Sequence, residues 1–357
     1  MDVQQMYEAP TSAPDRGTGI LGQLALEDPE FETGMRDALA AAEKWLQDCV
    51  HSAPDPRVAA LAGHLAAAGG KRLRPLLVLL GAEFGEPWRD GVAQAAVIAE
   101  LVHISSLYHD DIIDGAATRH GVDSVNARWG ERAAVLGGDW LLARAAQLAA
   151  GLGAEAIHLN AQTAGRLVSG QLRELTGPAP GEDPVAHYFQ VIAGKTAALL
   201  SMSLGMGALQ AGASAAQAAA LTEYGEQLGV AFQIADDLLD LCAPAELTGK
   251  EQGKDLLAGV SSLPVLIALA GDDPADDELR ALLTGGHVTA PAVHRRVLEL
   301  FRCSPAAAEA AALMRQRLDQ ARASLEGLPP IPARRALVAL GDFVARRTAW
   351  PALWPTA

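Results

Sequence analysis

Two copies of one acidic pattern constrain this chain more than anything else in it. Asp110-Asp111-Ile112-Ile113-Asp114 and Asp236-Asp237-Leu238-Leu239-Asp240 both read Asp-Asp-x-x-Asp, and each closes a long apolar segment. Carboxylates at i, i+3 and i+4 become neighbours on one side of a helix. Like charges at that spacing oppose the helix by about 0.2–0.5 kcal/mol per pair. The pattern therefore predicts two largely apolar helices, each ending in a carboxylate cluster that a cation would relieve, and the two facing one pocket. Hard oxygen donors without Cys ligands suit Mg²⁺, which binds through one or two carboxylates plus water and substrate phosphates. One such cluster could be a solvated helix end; two in one chain are hard to explain as surface charge. The equally acidic run Asp272-Asp273-Pro274-Ala275-Asp276-Asp277 contains a proline and reads as a solvated turn.

The remainder supports helices throughout. From about Phe31 onward, helical apolar spacing recurs with short Gly, Pro and Asp punctuation and no convincing strand alternation. Ala and Leu dominate these segments and aromatics make up only 4% of the chain, which favours helices packed closely through small side chains. Breaks fall at Pro54 and Pro56, at Gly69-Gly70, at Gly85-Glu86-Pro87 and at residues 177–181. None is long enough to separate two domains. The expected organisation is a mobile N-terminal segment over residues 1–30 and one all-α domain over 31–357, a single large helical bundle. The net charge of −15, with no Lys/Arg-rich run, argues against a nucleic-acid partner. Cys49, Cys242 and Cys303 are scattered and odd in number, so neither a disulfide framework nor a zinc site is suggested. No secretory signal is visible, and the most apolar stretch, roughly 196–213, is broken by Gly205, Gly207 and Gly212. A cytoplasmic chain without an integral membrane segment is the expectation.

An acidic protein that binds an anion needs a local cationic site. Gly69-Gly70-Lys71-Arg72-Leu73-Arg74-Pro75 precedes the apolar run Leu76–Leu80, and proline suits a first helical turn. Lys71, Arg72 and Arg74 then gather at a helix N-terminus, where cations oppose the macrodipole unless an anion joins them. A diphosphate would reconcile the arrangement; a basic solvated turn is the alternative. Lys195-Thr196, after Gly194, offers a second phosphate contact in an otherwise apolar segment, and Arg119, Lys250 and Lys254 add positive charge just after the two acidic clusters. Gln233 stands one turn before Asp236-Asp237.

As a set, these residues resemble the trans-isoprenyl diphosphate synthases, the polyprenyl synthetase family. The likeness runs from roughly Leu39 to Arg346 and rests on GGKRLRP (69–75), HISSLYHDDIID (103–114), GGDWLLARA (137–145), GKT (194–196), FQIADDLLD (232–240) and GKEQGKDLLAG with the following SLP (249–264). The resemblance implies an all-α bundle of the isoprenoid synthase type with a central apolar cavity, a homodimer, and Mg²⁺, three ions per active site. It implies isopentenyl diphosphate and an allylic prenyl diphosphate as substrates, joined head to tail after the allylic diphosphate ionises. Carried over residue by residue, Asp110, Asp114 and Asp236 would hold the metal, with Asp111 and Asp240 supporting. Lys71, Arg74 and His103 match contacts to isopentenyl diphosphate. Arg119, Lys195, Thr196, Gln233 and Lys250 match contacts to the allylic diphosphate, Lys195 among the catalytic set. Two positions depart from the family pattern. His120 stands where a second Arg usually contacts isopentenyl diphosphate, and Val260 stands where a Lys usually follows Gly259.

The resemblance also carries an expectation about product length. An aromatic residue four or five positions before the first acidic motif acts in the family as a floor. Here those positions are Ser105 and Ser106, followed a turn further back by Leu101, Val102 and Ile98, with Met202 and Met206 as candidates from a facing helix. An open upper layer and a product of C20 (geranylgeranyl) or longer are expected, with Tyr108 too far around the helix to serve as the floor. Two rivals stay open. His120 and Val260 motivate a terpene cyclase or a non-catalytic partner subunit on the same fold, against which Lys71, Arg74 and His103 argue. A helical HD-type metal phosphohydrolase would use His103 and His109-Asp110 as ligands. It leaves the second acidic motif and GGKRLRP unexplained, and a packing role for His109 is preferred.

Overall fold

A side-chain acceptor followed by proline sets where several of the helices begin. The residue before the helix caps a free N–H, and proline in the first turn removes a donor that would have no partner. The computed structural model describes residues 20–24, 26, 28–242 and 252–348. In chain order these form α1 (Ile20–Gln23), α2 (Pro29–His51), α3 (Pro56–Ala68), α4 (Leu73–Ala82) and α5 (Asp90–Ile113). A two-residue hairpin follows, β1 (Thr118–Arg119) and β2 (Val122–Asp123), and then α6 (Val125–Trp129), α7 (Glu131–Gly151), α8 (Ala154–Thr176) and α9 (Pro184–Ile192). A π-helical turn (Ala193–Ala197) joins α9 to α10 (Ala198–Gln210), and α11 (Ala215–Cys242) follows. The remaining helices are α12 (Lys254–Leu257), α13 (Leu263–Ala270), α14 (Asp277–Thr284), α15 (Pro291–Phe301), α16 (Pro305–Ser324) and α17 (Pro332–Arg347). Asp28 accepts from Phe31 N at 3.0 Å, Asp55 from Arg57 N at 2.9 Å, and Asp183 from Ala186 N at 3.2 Å, each beside a proline.

The expected breaks are where the helices end, and the all-helical class holds apart from the short hairpin. Of the segment expected to be mobile, residues 1–19 lie outside the described residues; Ile20 and Leu21 are buried, and α2 already starts at Pro29. The acidic stretch 272–277 is a solvated turn as read, with one exception. Asp273 does cap an exposed turn, but Asp276 is 2% exposed and accepts from Ala306 N at 3.1 Å, so it helps start α16 from inside the fold.

The chain divides into two interleaved compact units. The first contains the described residues up to Leu167, with Leu199–Thr222 and Gly327–Ala339. Its centre is α5, packed against α7, α4 and α2. The second contains Val168–Ala198, Glu223–Glu326 and the described residues from Leu340 onward. In it α13 packs on α16 and α9. Helix α5 and the run Pro184–Gln210 are long and apolar enough to cross a membrane, but 67% and 83% of their most apolar windows are buried inside the protein. That is the signature of core helices.

Close approach in the first unit depends on missing side chains. A Cβ on Gly207 would overlap the carbonyl oxygen of Val78, and one on Gly81 would overlap that of Leu204. Helices α4 and α10 therefore meet backbone to backbone. Gly207→Ala is expected to lower stability by about 1–3 kcal/mol through overpacking. Urea unfolding should show a lower midpoint at an unchanged slope.

Candidate active site

The first acidic motif ends α5, with Asp114 as the C-cap residue donating its N–H to Asp110 O at 2.8 Å. Its carboxylates divide into two kinds. Asp111 is 1% exposed and accepts from Arg119 Nε at 2.7 Å. Burial lifts its pKa above the ordinary carboxylate range while Arg119 pulls it back. Its second oxygen, Oδ2, is buried without a protein partner. Asp110 is half-buried and Asp114 is exposed. This division follows helical geometry: Asp111 is rotated about 100° from Asp110, whereas Asp114 returns to nearly the same side.

Arg119 arrives on the hairpin, whose turn residues His120 (φ 52) and Gly121 (φ 80) both have positive φ. That is the turn whose twist matches two antiparallel strands joined by two residues. The turn brings His120 to the basic loop, where its ring bonds the Gly69 backbone and lies 3.6 Å from where a Gly70 Cβ would be. Arg74 Nη1 is 3.1 Å from His103 Nε2. A guanidinium only donates, so that ring nitrogen must accept and His103 is neutral. Burial, then the charge of Arg74, hold its pKa well below the usual histidine value. Burial and the neighbouring Arg119 lower His120 in the same way. Thus Arg74, His103, Arg119 and His120 gather beside the loop on which Lys71 is exposed.

Arg72 lies nearby but hydrogen-bonds to none of them. Its Nε and Nη2 donate to Glu43 at 2.5 and 2.9 Å, its Nη1 donates to Glu100 at 2.7 Å, and Nη2 also reaches Ala66 O at 2.6 Å. Helical geometry gathered all three cations at one N-terminus and the resemblance assigned Lys71 and Arg74 to substrate; the structure ties the middle one, Arg72, to Glu43 and Glu100. His109 likewise packs, its ring against Gly138 and its Nε2 3.4 Å from Asp139 Oδ1.

The side chains before the motif, expected to leave an open layer, are packed in this structure. Ser105 is 0% exposed, and its hydroxyl donates to Gly138 O at 2.8 Å, inside the contact of α5 with α7. Ile98, Leu101, Val102, Met202 and Met206 belong to one buried cluster. Only Ser106 is half-buried, its hydroxyl on His103 O at 2.8 Å. Tyr108 points elsewhere, with its hydroxyl on Leu61 O at 2.5 Å.

In the second unit, the chain widens into its π-helical turn at Gly194-Lys195-Thr196, an irregularity common at functional sites. A Cβ on Gly170 of α8 would come within 2.7 Å of Lys195 N, so that helix lies directly on the turn. Lys195 Nζ pairs with Glu174 at 2.5 Å. Thr196 Oγ1 donates to Gln233 Oε1 at 3.0 Å, and Gln233 Nε2 donates to Asp237 Oδ1 at 3.2 Å. Asp237 is 3% exposed and also accepts from Tyr188 Oη at 2.7 Å and from Leu263 N at 2.9 Å. Burial lifts its pKa to about 7 against the pull of those three donors. So Asp237 ties α9, α11 and the start of α13 together.

Its neighbours in the motif behave differently. Asp236 is half-buried, with Arg347 Nη1 3.0 Å from its Oδ1 but out of line for a hydrogen bond. Both Asp240 oxygens accept from the first amides of α12, Lys254 N and Asp255 N, each at 3.1 Å. Asp255 is a residue that sequence reasoning missed, although it stands inside a quoted motif. Burial, then the charges of Asp240, Asp236 and Glu174, raise its pKa. Val260 is exposed, and its N–H bonds Asp255 O at 2.8 Å. Lys250 lies outside the described residues.

No group of three or more His, Cys, Asp or Glu side chains among the described residues is arranged to hold a metal ion. Pairs of hard carboxylates suit Mg²⁺ all the same, since it completes its shell with water and substrate phosphate. The orphaned Asp111 Oδ2 is one acceptor left for such a shell.

The family model described as polyprenyl synthetase matches residues 55–301. The chain belongs to that family. It is 39% identical over 329 residues to the nonaprenyl diphosphate synthase of Mycobacterium tuberculosis, covering 92% of this chain and 98% of that one. It is 36% identical over 315 residues to heptaprenyl diphosphate synthase component 2 of Geobacillus stearothermophilus, covering 88% and 97%. Among solved structures, geranylgeranyl pyrophosphate synthase from Corynebacterium glutamicum, complexed with calcium and isoprenyl diphosphate, superposes with a TM-score of 0.82 at 38% identity, covering 91% and 99%. The protein is thus a polyprenyl synthetase, a prenyltransferase of all-α fold. For this polyprenyl synthetase, Tyr188→Phe is expected to lower stability by about 1–3 kcal/mol, because it strips a donor from a buried carboxylate. Chemical denaturation should register the loss.

Proposed function

We propose that this chain elongates an allylic prenyl diphosphate with isopentenyl diphosphate to an all-trans product of C20 or longer. The observation that carries the reading is the gathering of Arg74, His103, Arg119 and His120 beside the Gly69–Lys71 loop, a cationic pocket in a chain of net charge −15. A terpene cyclase, which consumes one diphosphate, has no use for it. Lys71, Arg74 and His103 bind isopentenyl diphosphate there. Arg119, Lys195, Thr196, Gln233 and Lys250 bind the allylic diphosphate, and residues 31–357 act as one catalytic domain.

Asp110, Asp114 and Asp236 hold Mg²⁺, with Asp111 and Asp240 supporting. Bound metal supplies Lewis-acid neutralisation of charge on the departing diphosphate. The chain's own cations do the rest. Lys195 and Arg119 stabilise charge that grows as the allylic C–O bond breaks, so they favour the transition state over the ground state. In this reading Glu174 and Asp111 hold those two side chains in place until a diphosphate takes over. The apolar layer before Asp110 excludes water, which would otherwise quench the cation as an alcohol. No strong side-chain base is required, because the departing diphosphate can take the final proton.

The relatives named above make C20 and longer products, which supports the length. Growth past the packed layer falls to Met202 and Met206, unbranched side chains that adapt more readily than their Leu, Ile and Val neighbours. A homodimer is supported by an apolar stripe left exposed along α8, Ile157, Val168, Leu172 and Leu175 at helical spacing, and by Val135 and Leu136 on α7. Such patches on soluble proteins mark partner surfaces. A cytoplasmic enzyme completes the reading.

Purified protein supplied with labelled isopentenyl diphosphate and each allylic primer in turn should yield products of C20 or more. EDTA should abolish turnover and Mg²⁺ restore it. Asp110→Ala, Asp114→Ala and Asp236→Ala should each lower kcat by orders of magnitude. Zinc-specific rescue, with His109→Ala as damaging as Asp110→Ala, would point to the phosphohydrolase instead. For length, Ser106→Phe should shorten the product by at least one five-carbon unit with the first condensation intact. Ser105→Phe should cost stability first, since its site has no room. Chromatographic sizing beside a thermal melt separates the two.

A further inference from the structure

Arg72 lies in the middle of the motif that supplies the cationic pocket, yet every hydrogen bond its guanidinium makes goes to Glu43, Glu100 or Ala66 and none to a residue of that pocket. Four hydrogen bonds fix its guanidinium to Glu43 of α2, Glu100 of α5 and the carbonyl of Ala66 at the end of α3. Its backbone is left-handed (φ 48), and among the described residues only one other non-glycine, His120, has a positive φ. A non-glycine residue rests there only when its surroundings over-determine it. Glu100 is almost fully buried, and its second oxygen has no hydrogen-bond partner. That carboxylate faces three cationic or titratable groups, Arg72, Arg74 and His120. Arg74 Nε is likewise buried and unpaired.

We propose that Arg72 is a positioning residue that binds no substrate. Held by Glu100 and Glu43, it locks the Gly69–Arg74 loop in the one backbone conformation that presents Lys71 and Arg74 to the diphosphate of isopentenyl diphosphate. The inference rests on the functional reading above. Residues 71 and 74 flank a pinned residue, so loop freedom that the substrate would otherwise have to freeze is already removed. The brace also neutralises the middle cation, leaving the charge of the pocket to its neighbours. Glu100 is then the residue to alter, because it bonds Arg72 directly and is not itself among the proposed substrate contacts.

The test uses the full chain, its saturating and limiting substrates, and the variants Glu100→Gln, Arg72→Gln and their combination. Glu100→Gln should raise both KM and the calorimetric Kd for isopentenyl diphosphate about tenfold, in line with the loss of an orienting partner. The KM for geranyl diphosphate should stay within about twofold, as expected when only one subsite is disturbed. Arg72→Gln should give the same split, and the double variant should be no worse than Arg72→Gln alone, since both break one interaction. Glu43→Gln, at the more exposed end of the brace, should show the same split at smaller size and serves if Glu100→Gln fails to fold. Additive losses would mean that Arg72 contacts the diphosphate itself and would overturn the proposal. So would equal rises in both KM values, which a general loosening of the scaffold would produce. If the wild-type chain consumes no isopentenyl diphosphate, the functional reading falls and this inference with it; a wild type that elongates while Glu100→Gln shows no split sinks the brace alone.

Discussion

A charge taken out of water must find its complement within the protein, because removing one partner of a buried pair typically costs several kcal/mol. That constraint shapes each of the three charged motifs in the same way. In Lys71-Arg72-Leu73-Arg74 the middle cation is braced by Glu43 and Glu100. In the first aspartate motif Asp111 is buried on Arg119, while Asp110 is half-buried and Asp114 exposed. In the second, Asp237 is buried on Tyr188, Gln233 and Leu263 N, while Asp236 stays at partial exposure. Each motif thus gives up an inner member to the fold, and that member fixes the helix or loop carrying the outer ones. Preorganised charge is what a reaction that expels a diphosphate needs. Here the preorganisation is built into the motifs themselves.

Backbone irregularity follows the same distribution. Regular α-helix would carry Lys195 and Thr196 round at the ordinary pitch; the π-turn adds one residue to the loop of the hydrogen bond, and α8 lies on that widened turn at Gly170. Among the described residues the two left-handed non-glycine residues, Arg72 and His120, both lie against Gly70 of the basic loop. Strain of this kind persists where surrounding contacts over-determine it, and the contacts here are those of Arg72 with two carboxylates and of His120 with the Gly69 backbone.

Much of this was legible in the residues. Helical spacing and Gly/Pro punctuation placed the breaks, and the repeated acidic pattern marked the C-terminal ends of α5 and α11. What could not be read was direction. Arg72 looks like Lys71 and Arg74 in sequence, and only Glu43 and Glu100, 29 and 28 residues away along the chain, reveal that it turns inward. Ser105 and Ser106 are equivalent as text, but one falls in the α5–α7 contact and the other does not. Asp276 belonged to a run that looked solvated until Ala306 N was found beside it. In each case the deciding partner is distant in sequence, so a local pattern carries no trace of it.

His120 shows how backbone demand and site chemistry can pull on one position. The two-residue turn requires positive φ at both of its central residues, a region in which His, Asn and Asp are enriched among non-glycine residues. An arginine there would carry its full charge regardless of surroundings. The imidazole instead responds to them. Partial desolvation and Arg119 lower its pKa beside the basic loop, which lessens its repulsion toward Arg74 and Arg119. An arriving diphosphate reverses the local field, and an opposite charge nearby favours the protonated ring. On this account the position is not a lost cation. In the function proposed above it would be a donor whose charge follows the ligand, set on a turn whose geometry it suits better than an arginine.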